Sequence, residues 1–289
     1  MSGAHDRGDG AMRPLTGAIA LTAVIFCAEL AGGWWTGSLA LIADATHMAV
    51  DLLGLGLSLF AAMLARLPAD PKRTYGYRRV EVLAALGNAV ALMVATGFIL
   101  REAWGRWVFP TPVAAGPMLA VAVIGLLANL GSAAMLWRHS FGNINLRGAL
   151  LHVLSDAAGS VGAIGAAVII LKTRRYEADA LASALICVGI VLTAGWLLRD
   201  SVHILLEGAP AHLDLEEVRA ALVALDGVKE VHDLHLWSVT QGQEAMSGHL
   251  VLLPGGESGA VLKAGRELLS ERFGLTHVTL QLESEEHEE

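Results

Sequence analysis

Six long apolar runs dominate this chain of 289 residues. A helix needs about 20 apolar residues to cross the roughly 30 Å hydrocarbon core of a bilayer, and these runs have about that length. Each run therefore predicts a membrane-spanning helix, and an even number of spans leaves both ends of the chain on one side. The runs are Leu15–Trp35, Leu39–Leu64, Val80–Trp104, Pro117–Trp137, Leu146–Leu171 and Ala180–Leu198.

The composition supports a membrane class. Hydrophobic residues make up 54% of the chain and charged residues only 17%, against about 25% in a typical soluble domain. The acidic excess is confined to residues 207–289, which hold 16 Asp/Glu against 5 Lys/Arg. Nucleic-acid binding needs clustered basic residues on a soluble face, so this acidic region argues against it.

The basic residues predict the orientation. The N-terminal arm and the loops after spans 2 and 4 carry nine Lys/Arg, whereas the opposite side carries five. Because cytoplasmic loops are enriched in Lys/Arg, both ends are expected in the cytoplasm and the protein in the cell (inner or plasma) membrane. The cluster at 172–175 lies on the other side and opposes this assignment.

A small soluble domain follows Gly208-Ala209-Pro210. Its pattern predicts a helix, two strands, a helix and a strand, that is, an α+β domain with the order α-β-β-α-β. The predicted bounds are Leu215–Leu225, Val228–Val239, Met246–Leu253, Glu257–Phe273 and His277–Leu282, with Asp214 as the first N-cap. We thus expect an arm (1–14), a six-helix transmembrane domain (15–207), the soluble domain (208–283) and an acidic tail (284–289).

Two His–Asp pairs stand at membrane depth. His47 and Asp51 lie in span 2, His152 and Asp156 lie in span 5, and each pair is separated by four residues. This spacing stacks two side chains on one helix face. Two such faces meeting in a bundle offer two imidazoles and two carboxylates, a set that suits a tetrahedral divalent ion such as Zn²⁺.

The alternative for each pair is an intrahelical contact that neutralises itself. Its repetition at membrane depth, where ionisable side chains are costly, favours a functional site. Asp44 either shares the face of His47 or caps the start of span 2, and we expect Glu29, Asn88 and Asn129 to hold helices together. The two pairs are also compatible with another function, that of a membrane-embedded metal sensor or metalloprotein that transports no ion. A metalloenzyme is disfavoured because the chain lacks a motif such as His-Glu-x-x-His.

Six stretches of the sequence carry a resemblance to a known family. They cover nearly the whole chain in the family's order, and on them the sequence resembles the cation diffusion facilitator family of metal–proton antiporters. The stretches are GSLALIADATHMAVD (37–51), RTYGYRRVE (73–81), LHVLSDAAGS (151–160), LLEGAP (205–210), HDLHLWS (232–238) and HVTLQLE (277–283).

The resemblance implies function as well as fold. It implies six transmembrane helices, a cytoplasmic ferredoxin-like domain, a homodimer, and a transport site at His47, Asp51, His152 and Asp156. The activity implied is that of a bacterial exporter of Zn²⁺, with Cd²⁺ and Co²⁺ as further substrates, in exchange for protons. We therefore expect a secondary transporter rather than an enzyme.

The resemblance also assigns residues outside the membrane. His232, His249 and Glu283 resemble regulatory zinc ligands of the soluble domain, but Gln281 stands where some members have histidine, so we do not expect a two-metal cluster. Asp70 is the one matching residue of a further metal site that some members carry after span 2, and no such site is predicted here.

Arg79 and Glu207 are the last implied pair. In the family resemblance they form an opposite-charge pair that joins the two protomers near the cytoplasmic surface. The alternative is that Arg79 anchors to anionic lipid headgroups and Glu207 is solvated.

Overall fold

The computed structural model describes residues 6–137 and 144–284, so the predicted acidic tail beyond Ser284 lies outside the described residues. In chain order the elements are α1 (Asp6–Thr36), α2 (Leu39–Ala65), α3 (Arg79–Val108), α4 (Ala115–Trp137), α5 (Ile144–Thr173), α6 (Glu177–Leu205), α7 (Leu215–Val223), β1 (Val228–Thr240), β2 (Gln243–Leu252), α8 (Ser258–Phe273) and β3 (His277–Glu283).

Long apolar helices form the first part of the chain. Among the described residues, α2 to α6 are each long and apolar enough to cross a membrane, and α1 contributes a shorter apolar stretch, Ala20–Thr36. Large apolar side chains such as Leu53, Phe98 and Leu192 are exposed on these helices, as expected of surfaces that face lipid. The predicted class, a polytopic helical protein with a small C-terminal α+β domain, is confirmed.

Small residues let the membrane helices approach one another. In the compact unit formed by residues 1–56 and 87–196, α4 packs against α5 and α1 packs against α4. Alanines such as Ala122, Ala163 and Ala167 form the centre of its largest buried cluster. A Cβ added to Gly33 would lie 2.8 Å from Ile42 Cγ1. Side chains this small are what close packing of helices in lipid requires.

A distant carboxylate caps the start of α2. Asp179, in the first turn of α6, accepts hydrogen bonds from Ser38 Oγ (2.6 Å), Leu39 N (2.6 Å) and Ala40 N (3.2 Å). These N–H groups have no partner inside the helix and also carry its positive dipole end. Ser38 Oγ in turn accepts from Leu41 N (3.3 Å). Asp179 and Ser38, and not Asp44, therefore cap the helix that carries His47.

The soluble domain belongs to a second unit, formed by residues 57–86 and 197–289. Its sheet has the order β1-β2-β3, with β1 and β2 antiparallel and β2 and β3 parallel. The predicted element order α-β-β-α-β is found. As predicted, Asp214 caps α7 by accepting from Glu216 N (2.8 Å). Apolar residues such as Leu222, Leu250 and Leu269 form the core between the helices and the sheet.

Two details of the sheet differ from the predicted pattern. β2 begins at Gln243 rather than Met246, because the turn after β1 is so tight that Thr240 already pairs with Gln243. Gly242 adopts a φ of 75° there, a conformation open mainly to glycine. In addition, β1 carries a register shift between His232 and His235, and Asp233 at that bulge has a φ of 47°.

Candidate metal sites

The four predicted transport ligands lie together between α2 and α5. Asp51 Oδ2 faces both imidazoles, 3.3 Å from His47 Nε2 and 3.4 Å from His152 Nε2. Asp156 faces the same two nitrogens at 3.9 and 3.8 Å. The nitrogen and oxygen donors thus alternate around a common centre, as the i, i+4 spacing on two facing helices predicts.

The nitrogen–oxygen distances are close to those around a small ion. Four tetrahedral ligands at 2.0–2.1 Å from Zn²⁺ stand about 3.3 Å apart; two of the four nitrogen–oxygen distances match this value and the other two exceed it by about half an ångström. Ligand atoms of His47, His152 and Asp156 all lie within 4.8 Å of one another, and Asp51 contacts both imidazoles from the other side of this group. Within residues 6–137 and 144–284, both Asp156 oxygens, Asp51 Oδ2 and His47 Nδ1 are buried without a hydrogen-bond partner. Buried carboxylates without partners are expensive, so the set is suited to bind a cation.

A cavity of about 700 Å³ opens onto this centre. Its wall includes Asp44, His47 and Asp156 on α2 and α5, and it continues along α6 as far as Ala178. The remaining wall is mostly small or apolar, with glycines such as Gly162 along α5. Since α6 begins at Glu177, the cavity joins the ligands to the end of the bundle at which α6 starts.

The three soluble-domain candidates also lie together. His232 and His249 are directly paired across β1 and β2, with ring centroids 5.4 Å apart. Glu283 on β3 bridges them: its Oε2 is 3.1 Å from His232 Nε2 and its Oε1 is 2.8 Å from His249 Nδ1. Gln281 Nε2 donates to Glu283 Oε1 (2.8 Å), so the residue that replaces a histidine positions the carboxylate.

Sequence reasoning missed Asp233 at this second group. Its carboxylate is 2.9 Å from His235 Nε2 and 3.6 Å from His249 Nε2. The signal was present in the sequence, since Asp233 directly follows His232. Strand alternation, however, puts neighbouring residues on opposite faces, and the bulge that overrides this could not be read from the pattern.

Asp70 is engaged within its own loop. Its carboxylate accepts from Tyr77 Oη (2.9 Å) and from the backbone N–H groups of Lys72 (2.7 Å) and Arg73 (2.8 Å). The Tyr77 hydroxyl, followed by these N–H groups, holds the pKa of Asp70 below its usual value. The carboxylate therefore organises the turn between α2 and α3.

Arg79 and Glu207 form an ion pair within one chain. Arg79 Nη2 is 2.9 Å from Glu207 Oε1, and the two side chains are 39% and 61% exposed. Glu207 follows the end of α6 with a φ of 59°, the left-handed conformation common just after a helix. If the pair instead joined two protomers, Arg79 of each chain would contact Glu207 of the other chain.

Comparison with known proteins gives the family. Residues 15–206 match the Cation efflux transmembrane domain, and residues 210–285 match the Cation efflux protein, cytoplasmic domain. The cation efflux system protein CzcD of Alcaligenes sp. (strain CT14) is 41% identical over 283 residues, covering 96% of this chain and 89% of that protein. The cadmium, cobalt and zinc/H(+)-K(+) antiporter of Bacillus subtilis (strain 168) is 41% identical over 265 residues, covering 90% and 85%.

A solved structure, the metal-bound C-terminal domain of the CzcD transporter from Cuprividus metallidurans, is 35% identical with a TM-score of 0.24. It covers 25% of this chain and 99% of that chain.

The family matches span both parts of the molecule, and the resemblance expected from the motifs is confirmed. The chain belongs to the cation efflux family, also called the cation diffusion facilitator family. It is a membrane transporter of metal cations.

Proposed function

We propose that this protein exports Zn²⁺ from the cytosol in exchange for protons, by alternating access of one site. The observation that carries the proposal is the set of two imidazoles and two carboxylates between α2 and α5, with each carboxylate 3.3–3.9 Å from both imidazoles, a donor set that zinc prefers. Two imidazoles favour zinc over manganese, whereas Cd²⁺ and Co²⁺ accept the same donors. The name of the Bacillus relative includes these three metals.

Proton exchange follows from the chemistry of the ligands. Carboxylates and neutral imidazoles attract a dication, and protons compete for the same lone pairs. Imidazole is the side chain whose ordinary titration falls near neutral pH, so modest acidification releases the metal. The cavity that reaches the start of α6 offers access from one side, and a rocking motion of the helices would open the other.

The remaining assignments are part of the same proposal. The protein works as a homodimer in the plasma membrane, with both ends in the cytoplasm, a transport domain at 15–207 and a soluble domain at 208–283. His232, His249 and Glu283 bind Zn²⁺ as a regulatory ligand, since one carboxylate already bridges two paired imidazoles.

Flux measurement tests the proposal directly. The full chain, reconstituted in liposomes, should accumulate Zn²⁺ when the lumen is acidic, and the rate should fall when an ionophore collapses the pH gradient. Potassium gradients of both directions, applied at fixed pH, separate proton exchange from potassium exchange. Zinc binding without flux would instead support a membrane metal sensor.

His47 should set metal preference. His47→Asp keeps four ligands but replaces a nitrogen by a carboxylate, which binds with one or two oxygens and tolerates larger ions. We expect the ratio of zinc to cadmium flux to fall by about tenfold while total flux persists. An unchanged ratio in parallel liposome assays would show that His47 is not a ligand.

The Arg79–Glu207 pair is testable by exchanging its charges. Such an exposed pair contributes only about 0–1 kcal/mol to the free energy of folding. Any effect of these variants on transport therefore reflects the geometry of the segment after α6 rather than a loss of stability. We expect Arg79→Glu and Glu207→Arg each to lower zinc flux and the double variant to restore it. A double variant as poor as the worse single variant would refute the pairing, and crosslinking between Arg79→Cys and Glu207→Cys chains distinguishes a pair between protomers from one within a chain.

A further inference from the structure

A second group of buried polar side chains lies one helical turn beyond the transport ligands. Glu29 on α1 and Asp44 on α2 are only 1% and 3% exposed. Glu29 borders Gly125 together with Ser160, and Asp44 borders Gly159, the residue before Ser160, so both carboxyl groups lie against the same turn of α5. Asn129 on α4 and Ser160 on α5 are equally buried. We expected Glu29 and Asn129 to hold helices together, but the geometry points to a different role.

Two glycines make room for the carboxylates. A Cβ added to Gly125 would lie 2.5 Å from Glu29 Oε1 and 3.5 Å from Ser160 Oγ. A Cβ added to Gly159 would lie 3.1 Å from Asp44 Oδ1. The acidic groups thus occupy space that any larger residue would fill, and the Ser160 hydroxyl borders the same space.

Three of the four side chains in this group, those of Glu29, Asn129 and Ser160, have buried polar atoms without a hydrogen-bond partner among the described residues. Across the part of the chain that the structure describes, both Glu29 oxygens, both polar atoms of the Asn129 amide and Ser160 Oγ are buried without a hydrogen-bond partner. In a helix interface held together by hydrogen bonds, these atoms would bond to one another or to the backbone. Asn129 follows Gly125, the glycine that borders Glu29, by four residues and so lies one turn along the same face of α4. An unpaired amide and an unpaired hydroxyl near a buried carboxyl group are instead suited to a ligand.

No fixed positive charge is supplied by the surrounding helices. The sequence has no Lys or Arg in residues 14–65, 107–137 or 148–171, which hold nearly all of α2, α4 and α5 and the apolar part of α1. Neighbouring carboxyl groups at membrane depth are neutralised either by protonation or by a bound cation. Because these helix segments hold no fixed positive charge, the neutralising species is mobile, either a proton or the transported dication.

The group lies on the route between the transport site and one end of the bundle. Asp44 precedes His47 by three residues, about 4.5 Å along the axis of α2, and Ser160 follows Asp156 by four residues, about 6 Å along α5. Both displacements point toward the end where α2 begins and α5 ends. Asp44 also lines the cavity of about 700 Å³ that contains His47 and Asp156.

We propose that Glu29 and Asp44 form a second cation subsite, which holds the transported dication briefly as it leaves the transport site. This inference rests on the proposed function, because under the proposed orientation the subsite lies on the non-cytoplasmic side. Its donors are all oxygens, with Ser160 and Asn129 completing the set. Zinc prefers sites that include imidazole or thiolate, so the ion binds the subsite more weakly than the transport site and can depart.

The flux test uses isosteric amides. Glu29→Gln and Asp44→Asn keep shape and remove charge, so each should lower maximal zinc flux at least about tenfold while the zinc Kd of the transport site stays within about threefold. Glu102→Gln, which alters an exposed carboxylate on α3, is the matched control and should transport like the parent protein. Flux within about twofold of the parent in both amide variants would overturn the proposal.

A binding test separates a dication from a proton as the occupant. Asp44→His adds an imidazole and should make the subsite tight enough to count. In a full chain that also carries His232→Ala and His249→Ala, bound zinc should rise from about one to about two ions per protomer when Asp44→His is added. A count that stays at one, in protein with an unchanged size-exclusion profile, would mean that the subsite holds only protons and would overturn the proposal. This count needs no flux, so it remains decisive even if the parent protein fails to transport.

Discussion

Asp156→Ala should abolish zinc transport and leave the fold intact. Asp156 is 2% exposed and faces both imidazoles, so its loss removes one of four donors and half of the negative charge at the site. Even residues that only orient a metal ligand cost 10–100-fold in affinity when removed, so losing a ligand should lower zinc flux by more than about 100-fold. Asp51→Ala should behave in the same way.

The thermal stability of metal-free Asp156→Ala, unlike its transport activity, should not fall. Asp156 has no hydrogen-bond partner among the described residues, so alanine breaks no bond of the apo protein. Removing an ionisable side chain at membrane depth relieves a cost of about 2.5–3.5 kcal/mol on insertion scales. We therefore expect the Tm of metal-free Asp156→Ala in detergent to equal or exceed that of the parent protein.

Lost zinc flux together with an unchanged or higher Tm would identify Asp156 as a transport ligand. Zinc should raise the Tm of the parent protein and have a much smaller effect on Asp156→Ala, because the variant lacks the site that binds the ion. Asp200→Ala, at an exposed position of α6, controls for the loss of a carboxylate and should retain flux. More than half of the parent flux in Asp156→Ala would remove Asp156 from the site.

Local patterns predicted the parts of the molecule that depend on local spacing. The apolar runs predicted the membrane helices, and the two His–Asp spacings predicted that four ligands could meet, because a helix face is fixed by residue number alone. The strand pairing that brings His232 opposite His249 could only be suggested by the resemblance, since register depends on turns and bulges.

Contacts between distant segments could not be predicted in this way. Nothing near residue 39 indicates that the cap of α2 comes from Asp179, which lies 140 residues away. Glu29 and Asp44 show the same limit: 15 residues separate them in the sequence, and only the folded chain places both against the same turn of α5, beside Gly125 and Gly159. Polar residues in a membrane helix are informative, but their partners are not in the local sequence.

The Asp179 cap leads to the prediction with the largest effect on stability. Asp179 is 1% exposed and accepts three hydrogen bonds at the start of α2. Asp179→Ala leaves two backbone N–H groups and a hydroxyl buried without this acceptor, each costing about 1–3 kcal/mol. The total loss should be about 3–5 kcal/mol, which corresponds to a fall in Tm of the order of 10 °C.

Graded variants distinguish a cap from a general need for charge at this position. Asp179→Asn retains one acceptor oxygen but loses the negative charge that faces the helix dipole, so its Tm should lie between those of the parent protein and Asp179→Ala. Asp200→Ala, on the same helix but exposed, should leave the Tm within about 2 °C. Because α2 also carries His47 and Asp51, the loosened helix start should weaken zinc binding in Asp179→Ala although no ligand is changed. A Tm like that of the parent protein would mean that Ser38 and packing hold the start of α2 without Asp179, and zinc affinity would then be unaffected as well.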